Sequence, residues 1–315
     1  MTKQKFTKRV LVIGIPDMAY IGVDTLHAAG VNIVGVVGPK KTHGTYPAFK
    51  NFILSKNLNF IEYETLNSPE LHEEIKKLNI DIAVVFSFND KLPKTFIDLI
   101  PNGIINLHPS LLPKYRGGNP YSRVIMNGET ETGITLHFIS ENFDEGDIIT
   151  QIKCPLDEKE TMGTLFIKTN YLGVRLVLSA LIEFEKKNQL PRIPQPQGEF
   201  IEAKNLKNEE YYINFNMTAI EIERLIRAVN PFLTCYTYFK GQLLKIHKAT
   251  VEECEIPENT VNGEIIKVTE NNVYIKTKEG ALCPKVVQYG SYFTGDIEDF
   301  IRIAQPNVGE IMGNG

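Results

Sequence analysis

The chain has 315 residues, enough for one large domain or two ordinary ones around a substantial core. Hydrophobic residues make up 43% and charged residues 23%, an ordinary globular balance, and a net charge of −4 excludes a general electrostatic pull toward nucleic acid or acidic membranes. Cys154, Cys235, Cys254 and Cys283 lack CxxC spacing, which argues against a zinc site or disulfide framework and for reduced, structural thiols.

The N-terminus, Met-Thr-Lys-Gln-Lys-Phe-Thr-Lys-Arg, is basic but lacks the apolar stretch and small-residue cleavage site of a signal peptide. No uninterrupted apolar run reaches the roughly 18 residues of a membrane span. A cytoplasmic protein without membrane partners is expected.

Val10 to Gly14 reads as a short buried strand, and Asp17 to Ala29 as a helix stopped by Gly30. Val31 to Val37 gives a second strand. Pro47 to Lys56 and Ser68 to Leu78 have helical spacing, with a short strand at Asn59 to Tyr63 between them. Asp81 to Phe86 is another buried run, Phe96 to Ile100 part of a helix, and Gly103 to Leu107 the next strand. This alternation predicts an α/β domain: a Rossmann-like, mostly parallel sheet with helices on both faces, whose ligands bind beyond the carboxyl ends of the strands. Ile134 to Ile139 alternates as a half-buried strand, Asp147 to Ile152 as another, and Met162 to Lys187 forms a long helix.

Gln189 to Gly198 carries three prolines and reads as a linker. Beyond it lie a helix at Thr218 to Val229 and short β runs at 235–239, 242–251, 263–268, 273–277 and 282–287. Turn residues at regular spacing suggest a small OB-like β-barrel. The expected organisation is a catalytic domain at 1–190, a linker at 191–204 and a barrel domain at 205–315.

The most informative stretch is Ile105 to Gly118. Asn106 and His108, two residues apart at a strand's carboxyl end, can share a face. An amide donor beside an imidazole suits a carbonyl whose oxygen becomes negative during acyl transfer. Three segments should converge there: Asn106-x-His108, the 112–120 loop and the 142–147 loop. The first turn, Gly14-Ile-Pro-Asp, is not G-x-G-x-x-G, which speaks against a dinucleotide site.

The motifs Asn-x-His-Pro-Ser-Leu-Leu-Pro-x-Tyr-Arg-Gly (106–117), Asn-Gly-Glu-x-Glu-Thr-Gly-x-Thr (127–135) and Asp-x-Gly-Asp-Ile (144–148), in that order, resemble the formyltransferase family from about Val10 to Glu185. A weaker match covers the C-terminal part. The resemblance implies formyl transfer from 10-formyltetrahydrofolate to an amine without a metal, with Asn106, His108 and Asp144 catalytic. By the family's layout Phe86, Ser87, Phe88, Asn89, Ile139, Ser140 and Asn142 would line the folate slot. Phe86 and Phe88 fit a core role equally well. Ser110, Tyr115, Arg116 and Gly117 are candidate substrate contacts, Arg116 either touching substrate or shaping the wall. His137 alternates within its strand, and its approach to the site is not expected.

Two acceptors fit. Methionyl-tRNA formyltransferases have a similar two-domain length, and enzymes acting on nucleotide-linked 4-amino sugars, such as UDP-4-amino-arabinose, share the layout. Residues 205–315 hold 11 Lys plus Arg against 15 Asp plus Glu, and the segment after the second strand carries only two lysines, Lys40 and Lys41. Since tRNA binding rests on cations that neutralise phosphates, charge favours the amino-sugar nucleotide or a similar small amine. Hydrolysis of the formyl donor is a third reading. Oligomeric state is not legible.

Overall fold

The computed structural model describes residues 6–16, 18–41, 44–88, 91–198 and 200–313. By contacts the chain divides into two compact units. The first comprises the chain up to Gly118, then Glu131–Pro155 and Ile167–Ala203; the second comprises Asn119–Thr130, Leu156–Phe166 and the chain from Lys204 onward. The division is therefore not a single cut in the sequence.

In chain order the elements are β1 (Val10–Gly14), α1 (Met18–Ala28), β2 (Ile33–Pro39), α2 (Tyr46–Ser55), β3 (Phe60–Tyr63), α3 (Pro69–Lys77), β4 (Ile82–Phe86), α4 (Lys94–Ile97) and β5 (Ile104–His108). They continue with α5 (Pro120–Met126), β6 (Glu131–Phe138), β7 (Ile148–Pro155) and α6 (Met162–Lys187). One seven-stranded sheet runs β3-β2-β1-β4-β5-β6-β7. Strands β1 to β5 pair in parallel, while β6 and β7 are antiparallel. The expected mostly parallel α/β sheet is present. Strands β1 and β4 are buried along their whole length, as strands covered on both faces must be. The order reverses at β1–β4, and in such sheets ligands bind beyond the strands' carboxyl ends.

Local chemistry explains the helices. Helix α3 starts at Ser68, whose hydroxyl accepts from the Leu71 amide, with Pro69 in the first turn and Lys76 and Lys77 in the last. Helix α1 lies close to β4 because Gly22 has no side chain: a Cβ there would come within 2.6 Å of the Phe86 ring. Helix α6 contains a stretch long and apolar enough to cross a membrane by length and composition, which the sequence reading did not foresee. Its Val174, Val177, Leu181 and Phe184 are buried in the protein core.

The second unit adds α7 (Ala219–Val229), β8 (Cys235–Phe239), β9 (Gln242–Glu252), β10 (Ile265–Val268), β11 (Val273–Lys276), β12 (Ala281–Tyr289), β13 (Phe293–Asp296) and α8 (Ile297–Ala304). Its six strands form an antiparallel sheet, in keeping with the expected small barrel. Helix α7 opens with a reciprocal cap between Thr218 and Glu221 and buries Ile222, Leu225, Ile226 and Val229 among Leu244, Ile246, Leu282 and Phe300. Helix α5 belongs here: Met126 packs on this core, the Ser122 hydroxyl donates to the Ala228 carbonyl (2.7 Å), and Arg123 pairs with Glu210 (2.8 Å).

The proline-rich stretch lies against the first unit. Ile193 exchanges backbone hydrogen bonds with Ile148 (2.8 and 2.9 Å), the Ala203 amide donates to Arg116 (2.7 Å), and the Tyr115 amide donates to Ile201 (2.6 Å). None of the four cysteines forms a disulfide, and among the described residues no cluster of metal-ligating side chains occurs. Burial pushes the Cys235 and Cys283 thiols up to about 12.

Candidate active site

The site begins with β5. Antiparallel register sets Asn106 directly opposite His137 and His108 opposite Thr135, so Asn106 and His137 project from the same face of neighbouring strands. The loop after His108 is laced onto β6 and β7. The Leu112 amide donates to Thr135 Oγ1 (3.1 Å), that hydroxyl donates to the Ser110 carbonyl (2.6 Å), and Gln151 donates to both Leu112 O and Thr135 Oγ1 (2.9 Å each).

Asp144 arrives from the β6–β7 loop with φ +54°, in the left-handed region that aspartate enters more readily than most non-glycine residues. Its Oδ2 accepts from the Gly117 amide (2.9 Å) and lies 3.5 Å from His108 Nδ1; its Oδ1 lies 3.6 Å from His137 Nε2. Asn106 Nδ2 is 3.1 Å from His137 Nε2. Asn106, His108 and Asp144 thus converge, joined by His137.

Hydrogen-bond logic fixes which nitrogens carry protons. His137 Nδ1 faces the Phe138 carbonyl (2.8 Å), which only accepts, so Nδ1 carries the hydrogen. Burial pushes this imidazole down to about 4, against the opposing pull of Asp144, so the ring is neutral near pH 7. Its Nε2 is therefore a bare lone pair that accepts one Asn106 amide hydrogen. His108 Nε2 faces the Tyr115 carbonyl (2.8 Å), so that nitrogen donates and Nδ1 is turned to Asp144.

A cleft partly open to solvent lies beside these groups. Val85, Phe88, Leu92 and Ile139 give it apolar walls, Asn106, His137 and Asp144 a polar end, and Lys91, Glu141 and Phe143 complete its lining. Of the residues anticipated for a folate slot, Phe88, Ile139, Ser140 and Asn142 line this cleft. Phe86 is fully buried in the core, Ser87 is not among the lining residues, and Asn89 lies outside the described residues. His108 is buried behind the cleft.

The anticipated substrate contacts are occupied within the protein. The hydroxyl of the fully buried Ser110 donates to the Lys114 carbonyl (2.7 Å), and Tyr115 is buried with its backbone engaged at both ends. Arg116 donates to Gln195 Oε1 (2.6 and 3.2 Å) and to Glu145 (3.4 Å), and Gly117 supplies the amide that holds Asp144. Asp147 lies 3.7 Å from Arg192. Sequence reading missed His137 and Gln195. The first was visible as the residue that β5–β6 pairing sets against Asn106; nothing in a proline-rich stretch announced the second.

Sequence profiles described as "Formyl transferase" and "Formyl transferase, C-terminal domain" match residues 8–181 and 205–305. The methionyl-tRNA formyltransferase of Alkaliphilus oremlandii is 33% identical over 97% of this chain and 99% of its own length. That of Acetivibrio thermocellus is 30% identical over the same shares. Among solved structures, an N-formyltransferase from Helicobacter canadensis, in complex with folinic acid and dTDP-3-aminofucose, has a TM-score of 0.67 at 22% identity, covering 90% of this chain and 100% of that one. HypX from Aquifex aeolicus has a TM-score of 0.64 at 17% identity; the match covers 96% of this chain and 50% of HypX. Both share the fold.

Proposed function

Because the chain belongs to the formyl transferase family, we propose that it moves the formyl group of 10-formyltetrahydrofolate onto the primary amine of methionyl-tRNA. The observation that carries this acceptor is the similarity to methionyl-tRNA formyltransferases along nearly the whole chain, C-terminal part included. It outweighs the acidic balance of residues 205–315, which pointed toward an amino-sugar nucleotide, since net charge does not describe where cations cluster.

The cleft suits the donor: Phe88 and Ile139 offer apolar lining to a flat ring system, with Asn106, His137 and Asp144 as polar groups beside it. When bound, the donor supplies a formyl carbon open to attack by the amine. His137 takes one amide hydrogen of Asn106, which leaves the second directed to the formyl oxygen as negative charge develops there. One such donor is typically worth about 3 kcal/mol of barrier. Asp144 and the Nδ1 of His108 form the acid–base pair that takes the proton of the attacking amine, and a proton goes to the donor nitrogen as its bond to the formyl carbon breaks and tetrahydrofolate leaves. His108 works from behind, its Nε2–H anchored on Tyr115.

A second reading keeps the amino-sugar nucleotide as acceptor. It is favoured by the short segment between β2 and α2 with its two lysines, and by the fold shared with a sugar N-formyltransferase. Tetrahydrofolate release from 10-formyltetrahydrofolate separates the readings. We expect release on addition of charged methionyl-tRNA but not of UDP- or dTDP-linked amino sugars, and a loss of about 100-fold or more in Asp144→Asn. Release with the sugar alone would transfer the assignment to the second reading, and equal release without any amine would make the protein a hydrolase.

A further inference from the structure

Asp144 stands in a left-handed turn, and a side chain from a distant part of the chain binds its carbonyl. Gln195 is 5% exposed, and its side-chain amide is fully used. Its Nε2 donates to the carbonyls of Asp144 (2.7 Å) and Gly146 (2.8 Å), and its Oε1 accepts from Nε and Nη2 of Arg116 (3.2 and 2.6 Å). Those bonds grip two loops at once: the one carrying Asp144, and the one whose Gly117 amide binds the Asp144 carboxylate. Arg116 adds a contact to Glu145, next to Asp144 in sequence. On either side of Gln195 the chain is tied to the same unit, through Ile193 on Ile148 and Ala203 on Arg116.

We infer that Gln195 is a positioning residue for the formyl-transfer reaction: it sets the Asp144 carboxylate against His108 by clasping the 144–146 and 116–117 loops together. Arg116 is then the second half of this clasp, not a substrate contact. The inference rests on the catalytic reading of Asp144 and goes beyond it. A buried amide with every hydrogen bond satisfied is costly to replace, because any apolar substitute strands two carbonyls and a guanidinium. It touches no reacting atom, so its effect should appear in the chemical step and not in substrate binding.

The test is a double-mutant cycle on the full chain, with turnover and both KM values measured and folding followed by near-UV circular dichroism. Gln195→Leu keeps the volume and removes all four bonds. Gln195→Glu keeps an acceptor for Arg116 and removes both donors to the 144–146 loop. Each is expected to lower kcat by about 10–100-fold with both KM values changed less than about threefold. In an Asp144→Asn background neither should lower kcat further, since a group that acts through the carboxylate has nothing left to position. Full kcat in a folded Gln195→Glu protein overturns the inference, as does a multiplicative loss in the double variant. Should Gln195→Leu fail to fold, the Glu variant decides alone. Wild-type turnover in Asp144→Asn would remove the catalytic assignment itself, an outcome read from that single variant and so distinct from failure of the clasp.

Discussion

His137 shows how much of a site depends on pairing between strands. Taken alone, it is one more polar residue on an alternating strand; set opposite Asn106, it decides which way an amide points. Its neutrality has a measurable consequence. The folded imidazole is pushed down to about 4, whereas the unfolded chain takes up its proton near pH 6.5. Above pH 6.5 neither state is protonated, and the full stability is present. As pH falls from 6.5 toward 4 the unfolded chain binds a proton that the folded one does not, so stability drops. Between pH 7 and pH 4.5 this amounts to about 2–3 kcal/mol. Urea titrations should show a shallower acid loss in His137→Gln by about that amount; an unchanged slope would mean that His137 is already charged in the native protein. Asn106, His108 and Asp144 were legible because three ordered motifs announce them. His137 and Gln195 were not, because one needs strand register and the other a fold in which residues 51 apart, Asp144 and Gln195, meet.

Among the elements, long periodic segments were read well. Helix α6 has the bounds its apolar spacing predicts, and β8 likewise. Helix α5 was not foreseen: seven residues between two loops give too few turns for a periodic signal. Strand β13 and helix α8 were missed as well. The strand spans four residues with alternating partial exposure, and the helix follows it directly at Ile297 with no intervening loop. Close approach of elements is also invisible in a single chain, and Gly22 is the case to test. Ala for Gly in an open helix position stabilises by about 1 kcal/mol. In α1 the added methyl would meet the Phe86 ring, so Gly22→Ala should destabilise by about 1–3 kcal/mol in urea. A higher urea midpoint would show that α1 does not rest against β4 as described.

For the molecule as a whole, the acceptor leaves a signature in salt. Phosphate recognition releases counterions, so kcat/KM for charged tRNA should fall at least about tenfold between 50 and 200 mM salt. A flat profile would count against a polynucleotide acceptor, whatever the relatives act on. The fold class was legible from strand–helix alternation, and the change to short β runs marked a second architecture. The interleaving of the two units was not, because nothing in Asn119–Thr130 or Leu156–Phe166 marks them as partners of a region starting at Lys204. That interleaving limits how such a protein can be recombined. A chimera joined at the prolines would transplant the antiparallel sheet and α7 while leaving behind α5, which carries Ser122, Arg123 and Met126 onto them. Exchange of this half between relatives therefore calls for five splice points in the gene, and a lineage that shuffles it at one would inherit a helix cut for someone else's core.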